Sequence, residues 1–186
     1  MINLLKKSLP GSSDERKIVL ISTLLAVALL IMDQVTKVLV ESNIKLGQRI
    51  SIIPGFFDLT HITNKGAAWG ILHGYGWLLL LIAAAVVIVA VLCIRWLTEG
   101  YNERYLAIFI VFSGIFGNSI DRIWRGQVVD FLDFYVKGHH WPAFNVADIS
   151  ICIGVAIYFL STLLRSDKKT ETEPAGKSEE LTDNQA

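Results

Sequence analysis

The hydrophobic positions of the chain fall into four long apolar runs, separated by segments that are richer in polar residues, Gly and Pro. A helix needs roughly 20 predominantly apolar residues to cross the hydrocarbon core of a membrane, and these runs approach or reach that length. The predicted helices are Ile18–Val40, Tyr75–Ile94, a third that starts near Tyr105 and must carry Asp121 and Arg122 at its far end, and Phe144–Leu164. The pattern therefore predicts an all-α membrane protein with four transmembrane helices.

Two segments outside these runs have a different character. Residues 44–63 are rich in Ile, Phe and Thr, with Gly47 and Pro54-Gly55 as breakers, which is typical of short strands joined by turns. We therefore expect a small extracytoplasmic β element between the first two helices. Beyond Ser166 the chain has too little apolar content to order itself. The predicted organisation is thus a membrane domain at residues 1–165 and a disordered cytoplasmic tail at residues 166–186.

Composition and charge agree with a membrane protein. Hydrophobic residues make up 53% of the chain, and the formal net charge is zero, so no bulk charge points to nucleic acid. Basic residues concentrate before the first helix, in the loop between helices 2 and 3 and after the fourth helix, which predicts that both termini lie in the cytoplasm. Cys93 and Cys152 each lie inside an apolar run, so neither a disulfide framework nor a metal site is indicated, and no cofactor is predicted.

The polar residues of the membrane portion gather at one side. Four helices of alternating direction bring the end of the first, the start of the second, the end of the third and the start of the fourth to the outer face. These ends contain Asp33, Lys37, the polar stretch Asn64-Lys65-Gly66, Asn118, Asp121, Arg122, Asn145 and Asp148. A charge at a helix centre costs about 2.5 to 3.5 kcal/mol on insertion scales, so such residues usually pair, face a cavity or act chemically. We therefore predict a site at the outer membrane interface.

Helical spacing groups these residues further. The sets that share a helix face are Asn118, Asp121 and Arg122 at i, i+3 and i+4, and Asn145 with Asp148 at i and i+3. Asp33 and Lys37 stand at i and i+4, where they can pair, and both a structural tie and a part in the site remain open. For Asp121, pairing with a nearby base at the helix end is favoured over direct catalysis.

Five short blocks follow one another along the chain. They are Asp33-Gln34-Val35-Thr36-Lys37, Asn64-Lys65-Gly66-Ala67-Ala68-Trp69, Gly117-Asn118-Ser119-Ile120-Asp121-Arg122, Val128-Val129-Asp130-Phe131 and Phe144-Asn145-Val146-Ala147-Asp148. In this order, and on this helical plan, the blocks resemble the lipoprotein signal peptidase (signal peptidase II) family. The resemblance spans nearly the whole membrane portion. Trp69 stands where the family more often has Phe, which keeps an aromatic residue at that position.

The resemblance implies an aspartic endopeptidase of the bacterial inner membrane that removes signal peptides from prolipoproteins, cutting before a cysteine that carries a diacylglyceryl group. The catalytic aspartates of the family fall on Asp130 and Asp148. The residues expected to bind substrate or support the site are Asn64, Gly66, Asn118, Asp121, Arg122, Asn145, Asp33 and Lys37. The implied partners are lipidated prolipoproteins, membrane lipids and inhibitors of the globomycin type, and the implied active site lies at the periplasmic face.

Peptide hydrolysis by two carboxyl groups needs one ionised group to take a proton from water and one protonated group to polarise the scissile amide. Two carboxyls that share a proton meet both needs. The apolar segment 128–134 contains a second acid, Asp133, and physical chemistry alone leaves Asp130 and Asp133 nearly even. Only the resemblance selects Asp130.

Other classes of protein are weighed against this interpretation. A small proton-coupled transporter or channel subunit is the main alternative, because intramembrane carboxylates also mark ion paths. Such proteins often carry polar groups near the middle of the bilayer on paired broken helices, whereas these acids gather at one interface. A scaffold with polar helix ends is a third possibility. His139 and His140 are predicted to be solvated or interfacial, and no HExxH pattern indicates a zinc protease.

Overall fold

The computed structural model of the 186-residue chain describes residues 12–67 and 71–171. The helices are α1 (Ser13–Asn43), α2 (Gly76–Leu92), α3 (Ile94–Thr98), α4 (Asn102–Trp124) and α5 (Val146–Glu171), and the strands are β1 (Arg49–Ile53), β2 (Phe57–Asn64), β3 (Val128–Val136) and β4 (His139–His140). The described part of the protein is mostly helical, with a small antiparallel sheet between the helices in sequence.

Three of the helices in the described residues are long and apolar enough to cross a membrane: α1, α4 and residues 146–165 of α5. Helix α2 is apolar but has only 17 residues. Large apolar side chains such as Leu24 and Leu81 are exposed on the outside of the bundle, as expected where lipid replaces water as the solvent. The protein therefore has three to four membrane-type helices.

The helix ends follow from local chemistry as well as from the apolar runs. Helix α1 begins before the predicted Ile18, because Ser12 and Glu15 form a capping box: Ser12 Oγ accepts from the Glu15 amide at 3.0 Å, and the Glu15 carboxylate accepts from the Ser12 amide at 3.3 Å. Helix α5 continues to Glu171, past the predicted start of the tail. Residues 172–186 and Trp69 lie outside the described residues.

Helix α4 is the centre of the bundle. It packs most extensively against α5, next against α1, and it also contacts α2. Small residues permit the close approach of α4 and α5, since a Cβ added at Gly154 of α5 would lie 2.6 Å from the carbonyl oxygen of Ala107 on α4. The buried face of α4 ends in the polar residues Asn118 and Asp121, so the packing that builds the bundle also directs these groups inward.

The sheet has the order β1-β2-β3-β4 with antiparallel neighbours. The predicted β element between the first two helices corresponds to β1 and β2. The segment after the third predicted helix forms the nine-residue strand β3, which the sequence analysis did not predict and which pairs along β2. Val129 and Phe131 of β3 pack with Val40 and Ile44 at the end of α1, which fastens the sheet to the bundle.

We expect Gly114→Ala to destabilise the α4–α5 pair. The added methyl group would collide with the Ala147 carbonyl and the Ile151 side chain, and overpacking of this kind costs about 1 to 3 kcal/mol. The measurement is unfolding in detergent micelles, with Gly76→Ala as the control because nothing lies within 4 Å of its Cβ position. Equal stability of the two variants would contradict close α4–α5 packing.

Candidate active site

A buried lysine lies beneath the polar ends of the helices. Lys37 of α1 is 0% exposed, and its Nζ atom lies 2.9 Å from Asp33 Oδ2, 2.8 Å from Asp121 Oδ2 and 3.2 Å from Asn118 Oδ1. An ammonium group has three N–H donors, and here each has an acceptor. The charge of Lys37 is therefore fully paired inside the protein.

The two aspartates that bind Lys37 also hold backbone from other elements. Asp33 Oδ1 accepts from the Ala147 amide at 2.8 Å, in the first turn of α5. Asp121 Oδ2 accepts from the Val129 amide at 3.2 Å, at the start of β3. The lysine cluster thus joins α1 and α4 to the two elements that carry the candidate catalytic acids.

The start of α5 places Asp148. Asn145 Oδ1 accepts from the Asp148 amide at 3.0 Å, and Asp148 Oδ2 accepts from the Asn145 amide at 3.2 Å. This reciprocal pair has the form of a capping box. It fixes the carboxylate of Asp148 at a helix N-terminus, where the helix dipole favours negative charge.

Two side-chain amides connect the candidate acids. Asp148 Oδ1 accepts from Asn118 Nδ2 at 2.8 Å, and Asp130 Oδ1 accepts from Asn145 Nδ2 at 2.8 Å. Asn145 Nδ2 also donates to Asn118 Oδ1 at 3.2 Å. The Lys37 ammonium can only donate, so the oxygen of the Asn118 side chain must face Lys37. The amide nitrogen of Asn118 therefore faces Asp148. The lysine cluster thereby sets the orientation of the whole network.

Asp130 and Asp148 face one cavity of about 610 Å³. Its polar rim includes Asn64, Gly66 and Arg122, and its apolar wall comes from α2, α4 and α5. The guanidinium group of Arg122 donates to the carbonyl oxygens of Asn118 at 3.0 Å and Gly66 at 2.9 Å. No carboxylate in the described part of the chain lies within 4.0 Å of it. Its positive charge is therefore not neutralised by direct ion pairing.

The environment of Asp130 favours its protonated form. Burial and then the negative charge of Asp148 raise the pKa of Asp130 to about 7, while hydrogen bonds from Asn64 and Asn145 act in the opposite direction. Near neutral pH this group can therefore hold a proton. A carboxylic acid and a second carboxyl group on one cavity form an arrangement suited to acid–base chemistry.

Known proteins show the same sequence pattern. The model of the family described as signal peptidase (SPase) II matches residues 25–164. A lipoprotein signal peptidase of Bacillus subtilis is 41% identical over 150 residues, which cover 81% of this chain and 97% of that protein. One of Geobacter metallireducens is 42% identical over 143 residues, covering 75% and 88%. The chain belongs to the signal peptidase II family.

Solved structures agree with this assignment. One, described as a bacterial membrane enzyme determined by the in meso method at 2.3 Å resolution, aligns with a TM-score of 0.73 and 36% identity over 84% of this chain and 94% of that chain. A second, at 1.9 Å resolution, has a TM-score of 0.69 and 38% identity over 76% and 92%. This member of the signal peptidase II family is thus a multi-pass inner-membrane protease of the kind that cleaves signal peptides from prolipoproteins, and the transporter alternative is not supported.

The structure brings all ten residues of the predicted signal peptidase II site together. The residues on the cavity are Asn64, Gly66, Asn118, Arg122, Asp130 and Asp148, and those that support it from behind are Asp33, Lys37, Asp121 and Asn145. Asp133 is not on the cavity. It stands three residues after Asp130 in a strand, and successive side chains of a strand alternate between faces, so the two acids point to opposite sides of the sheet. Among the described residues no group of three or more His, Cys, Asp or Glu side chains is placed to hold a metal ion.

Two supporting residues were missed by the sequence reasoning. Gln34 Nε2 donates to Asp33 Oδ2 at 3.0 Å and to Asp121 Oδ1 at 3.1 Å, and Arg125 Nη1 lies 2.8 Å from Asp121 Oδ1. Signals for both were present, because Gln34 is an amide inside an apolar run and Arg125 follows Asp121 at i+4. Neither residue could be assigned to the site without knowing which helices pack against each other.

We expect Lys37→Met to destabilise the protein strongly. Methionine keeps the apolar length of the side chain but leaves Asp33 and Asp121 without their shared cation, and breaking a buried ion pair from one side costs about 3 to 5 kcal/mol. The measurement is unfolding in detergent micelles. The exposed Lys45 supplies the control Lys45→Met, and a loss no larger than that of the control would contradict the central role of Lys37.

Proposed function

We propose that Asp130 and Asp148 are the catalytic pair of an aspartic endopeptidase that cuts diacylglyceryl-modified prolipoproteins directly before the modified cysteine. The observation that carries the proposal is the convergence of two buried carboxyl groups, one from a strand and one from a helix start, on a single cavity through the Asn118–Asn145 link. Family membership supplies the substrate class, and the geometry supports the assignment of residues.

Nucleophilic alternatives find less support in the cavity. Ser119 lines it, but its hydroxyl donates to the Ile115 carbonyl of its own helix at 2.7 Å. Lys37, which a serine–lysine mechanism would need as a base, has all three N–H donors engaged. Cys152 also lines the cavity, but thiol chemistry needs a group that lowers the thiol pKa, and no hydrogen bond or ion pair of Cys152 is found in the described part of the chain.

The chemical steps balance on the two carboxyl groups and one water molecule. The ionised carboxylate takes a proton from water as the water oxygen bonds to the scissile carbonyl carbon, and the protonated carboxyl donates its proton to the carbonyl oxygen. The C–N bond of the resulting tetrahedral intermediate then breaks as the new amine receives a proton from the first carboxyl and the second recovers one from a hydroxyl of the intermediate. The raised pKa of Asp130 favours it as the initially protonated partner.

Arg122 and Asn64 are placed to assist these steps. Their polar groups lie on the same cavity as the acids, and the Arg122 charge is held in position by two backbone carbonyls. Fixed donors aimed at developing negative charge are usually a large contribution to catalysis. We assign both residues to binding the substrate backbone and stabilising the tetrahedral oxygen.

The proposed arrangement in the membrane has four crossings, both termini in the cytoplasm and the cavity at the outer face. At 1.5 Å per residue, the 17 residues of α2 span only about 26 Å, but α3 follows after Cys93 and continues towards the cytoplasmic end. Basic residues Arg95, Arg104 and Arg165 lie at the end opposite the cavity, which supports this orientation.

This placement suits a lipid-modified substrate. Its acyl chains remain in the bilayer while the scissile bond lies near the headgroups. The apolar side of the cavity, formed by residues such as Leu79, Ile82 and Val86 of α2, can contact the acyl chains. Inhibitors of the globomycin type are expected to occupy the same cavity, in competition with the substrate.

We expect Asp130→Asn and Asp148→Asn each to abolish processing while leaving a folded, membrane-inserted protein. Removal of a positioned acid–base group typically costs about 10² to 10⁴ in rate, and the shared proton requires both carboxyls. The measurement is the cleavage of a lipidated prolipoprotein by purified enzyme, read as a product shortened to the modified cysteine. Cys152→Ala, on the same cavity, and Cys93→Ala are controls that should process nearly normally. Substantial turnover by either Asn variant would defeat the assignment.

We further expect kcat/KM to fall about tenfold per pH unit above pH 7, because the shared proton leaves as pH rises past the pKa of Asp130. The free energy of unfolding should also decrease as pH rises. Between the ordinary carboxyl pKa and about 7, the folded state binds a proton that the unfolded state has lost, so stability falls as pH rises. Asp130→Asn should therefore lose less stability than the wild type between pH 5 and pH 8 in thermal unfolding. Parallel curves for the two proteins would contradict the raised pKa.

A further inference from the structure

A second polar cluster lies on the face of the sheet opposite Asp130. Asp133 of β3 is only 2% exposed, and its Oδ1 and Oδ2 atoms lie 2.8 Å and 3.1 Å from Nδ1 of His140 in β4. Arg49 of β1, whose side chain is 48% exposed, places Nε 3.6 Å from Asp133 Oδ2 and Nη1 3.4 Å from His140 Nε2. We refer to Asp133, His140 and Arg49 as the outer clasp.

Each ring nitrogen of His140 has one partner in the clasp. A carboxylate only accepts, so Nδ1 of His140 carries the proton that is donated to Asp133. A guanidinium group only donates, so Nε2 of His140 is the acceptor that faces Arg49. Both nitrogens of the His140 ring therefore have a partner, which fixes the plane of the ring.

The clasp is the main side-chain attachment of a very short strand. Strand β4 has only two residues and pairs with β3 through Tyr135 and Val136. The ring of His140 also stacks on Tyr135 at 4.7 Å, with 19° between the planes, and the Tyr135 hydroxyl donates to Asp58 Oδ1 of β2 at 3.2 Å. Loss of the His140 imidazole would thus remove these side-chain contacts and leave β4 held by its backbone pairing with β3 alone.

The residues after His140 are part of the catalytic cavity. Trp141, Pro142 and Ala143 line it and form what we call the cavity wall. Its far end is anchored separately, because Phe144 exchanges backbone hydrogen bonds with Leu132, with Phe144 N donating at 3.1 Å and Leu132 N donating at 2.9 Å. The near end is held by the Trp141 amide, which donates to the Phe134 carbonyl of β3 at 2.8 Å, and by the preceding strand β4, whose His140 side chain belongs to the clasp.

We infer that His140 is a positioning residue for substrate binding: through Asp133 and Arg49 it holds the wall of residues 141–143 against the cavity, where the wall contacts the apolar part of the substrate beside the scissile bond. The inference rests on the function proposed above. It places the effect in binding and not in the chemical step, because Asn145 is fixed by its own hydrogen bonds to Asp148 and Asn118. Movement of the wall need not move the catalytic pair.

The test compares His140→Ala with His140→Asn and with the neighbouring control His139→Ala. The Asn side-chain nitrogen falls near the position of Nδ1, so it can restore the bond to Asp133, whereas Ala removes it. Because His140→Ala removes a hydrogen bond to a charged group, we expect it to raise KM about fivefold to tenfold with kcat within about twofold. His140→Asn should return KM to near the wild-type value, and His139→Ala should leave both constants unchanged.

A binding measurement separates this effect from catalysis. In the Asp130→Asn background, His140→Ala should weaken the affinity for the lipidated prolipoprotein by the same factor as it raises KM. An unchanged affinity, a fall in kcat at constant KM, or failure of His140→Asn to restore KM would each overturn the inference. Arg49→Ala, an exposed change that leaves the buried core intact, should raise KM in the same direction, and no change in KM for this variant would also count against the clasp.

Asp133→Asn distinguishes failure of this inference from failure of the proposed function. If Asp133 belongs to the clasp, Asp133→Asn raises KM and retains turnover. Complete loss of turnover in Asp133→Asn together with activity in Asp130→Asn would overturn both the clasp and the catalytic assignment. Loss of activity in Asp130→Asn with no effect of any clasp variant would overturn the clasp alone.

Discussion

The structure depends on the burial of one positive charge, that of Lys37. Removing an ammonium group from water costs several kcal/mol unless its donors are met, and the protein meets them with Asp33, Asp121 and Asn118 from two helices. The two carboxylates have further lone pairs, which accept from the amides of Ala147 and Val129. The hydrogen bonds that pair the Lys37 charge therefore fix the relative positions of α1, α4, α5 and β3. Asp130 on β3 and Asp148 on α5 are positioned by the same contacts.

The membrane helices could be predicted from the sequence because their signal is local. Length and apolarity mark α1, α4 and α5, and their polar ends indicate one side of the bundle. Strand β3 could not be predicted in the same way. Its residues Val128–Val136 are nearly continuously apolar, without the alternation of a half-buried strand, and its hydrogen-bonding partner β2 lies more than 60 residues earlier. A strand that is stabilised by such distant pairing has only a weak signal in its local sequence.

The same limit explains the ambiguity between Asp130 and Asp133. In an irregular segment both acids could face the cavity, and only the pleat of β3 sends them to opposite sides. Once the strand is known, the partners of Asp133 are Arg49 and His140, of which His140 was expected to be solvated or interfacial. Residue type and spacing thus indicated polar residues at one side of the bundle, and the resemblance selected Asp130. The division of Asp130 and Asp133 between the two faces required the long-range pairing of the sheet.

The proposed chemistry requires that the lysine-bound acids, Asp33 and Asp121, stay separate from the catalytic pair, Asp130 and Asp148. A cation directly paired with Asp130 or Asp148 would stabilise the doubly ionised state and remove the proton that the two carboxyls share. Lys37 lies close to both, yet its three donors are taken by Asp33, Asp121 and the oxygen of Asn118. What reaches Asp148 is the neutral amide nitrogen of Asn118, and what reaches Asp130 is that of Asn145. Asn118 and Asn145 therefore connect the lysine cluster to the two acids without a direct contact between Lys37 and either acid. The buried ion pairs of Lys37 can thus fix the positions of two carboxyl groups that still hold a proton near neutral pH.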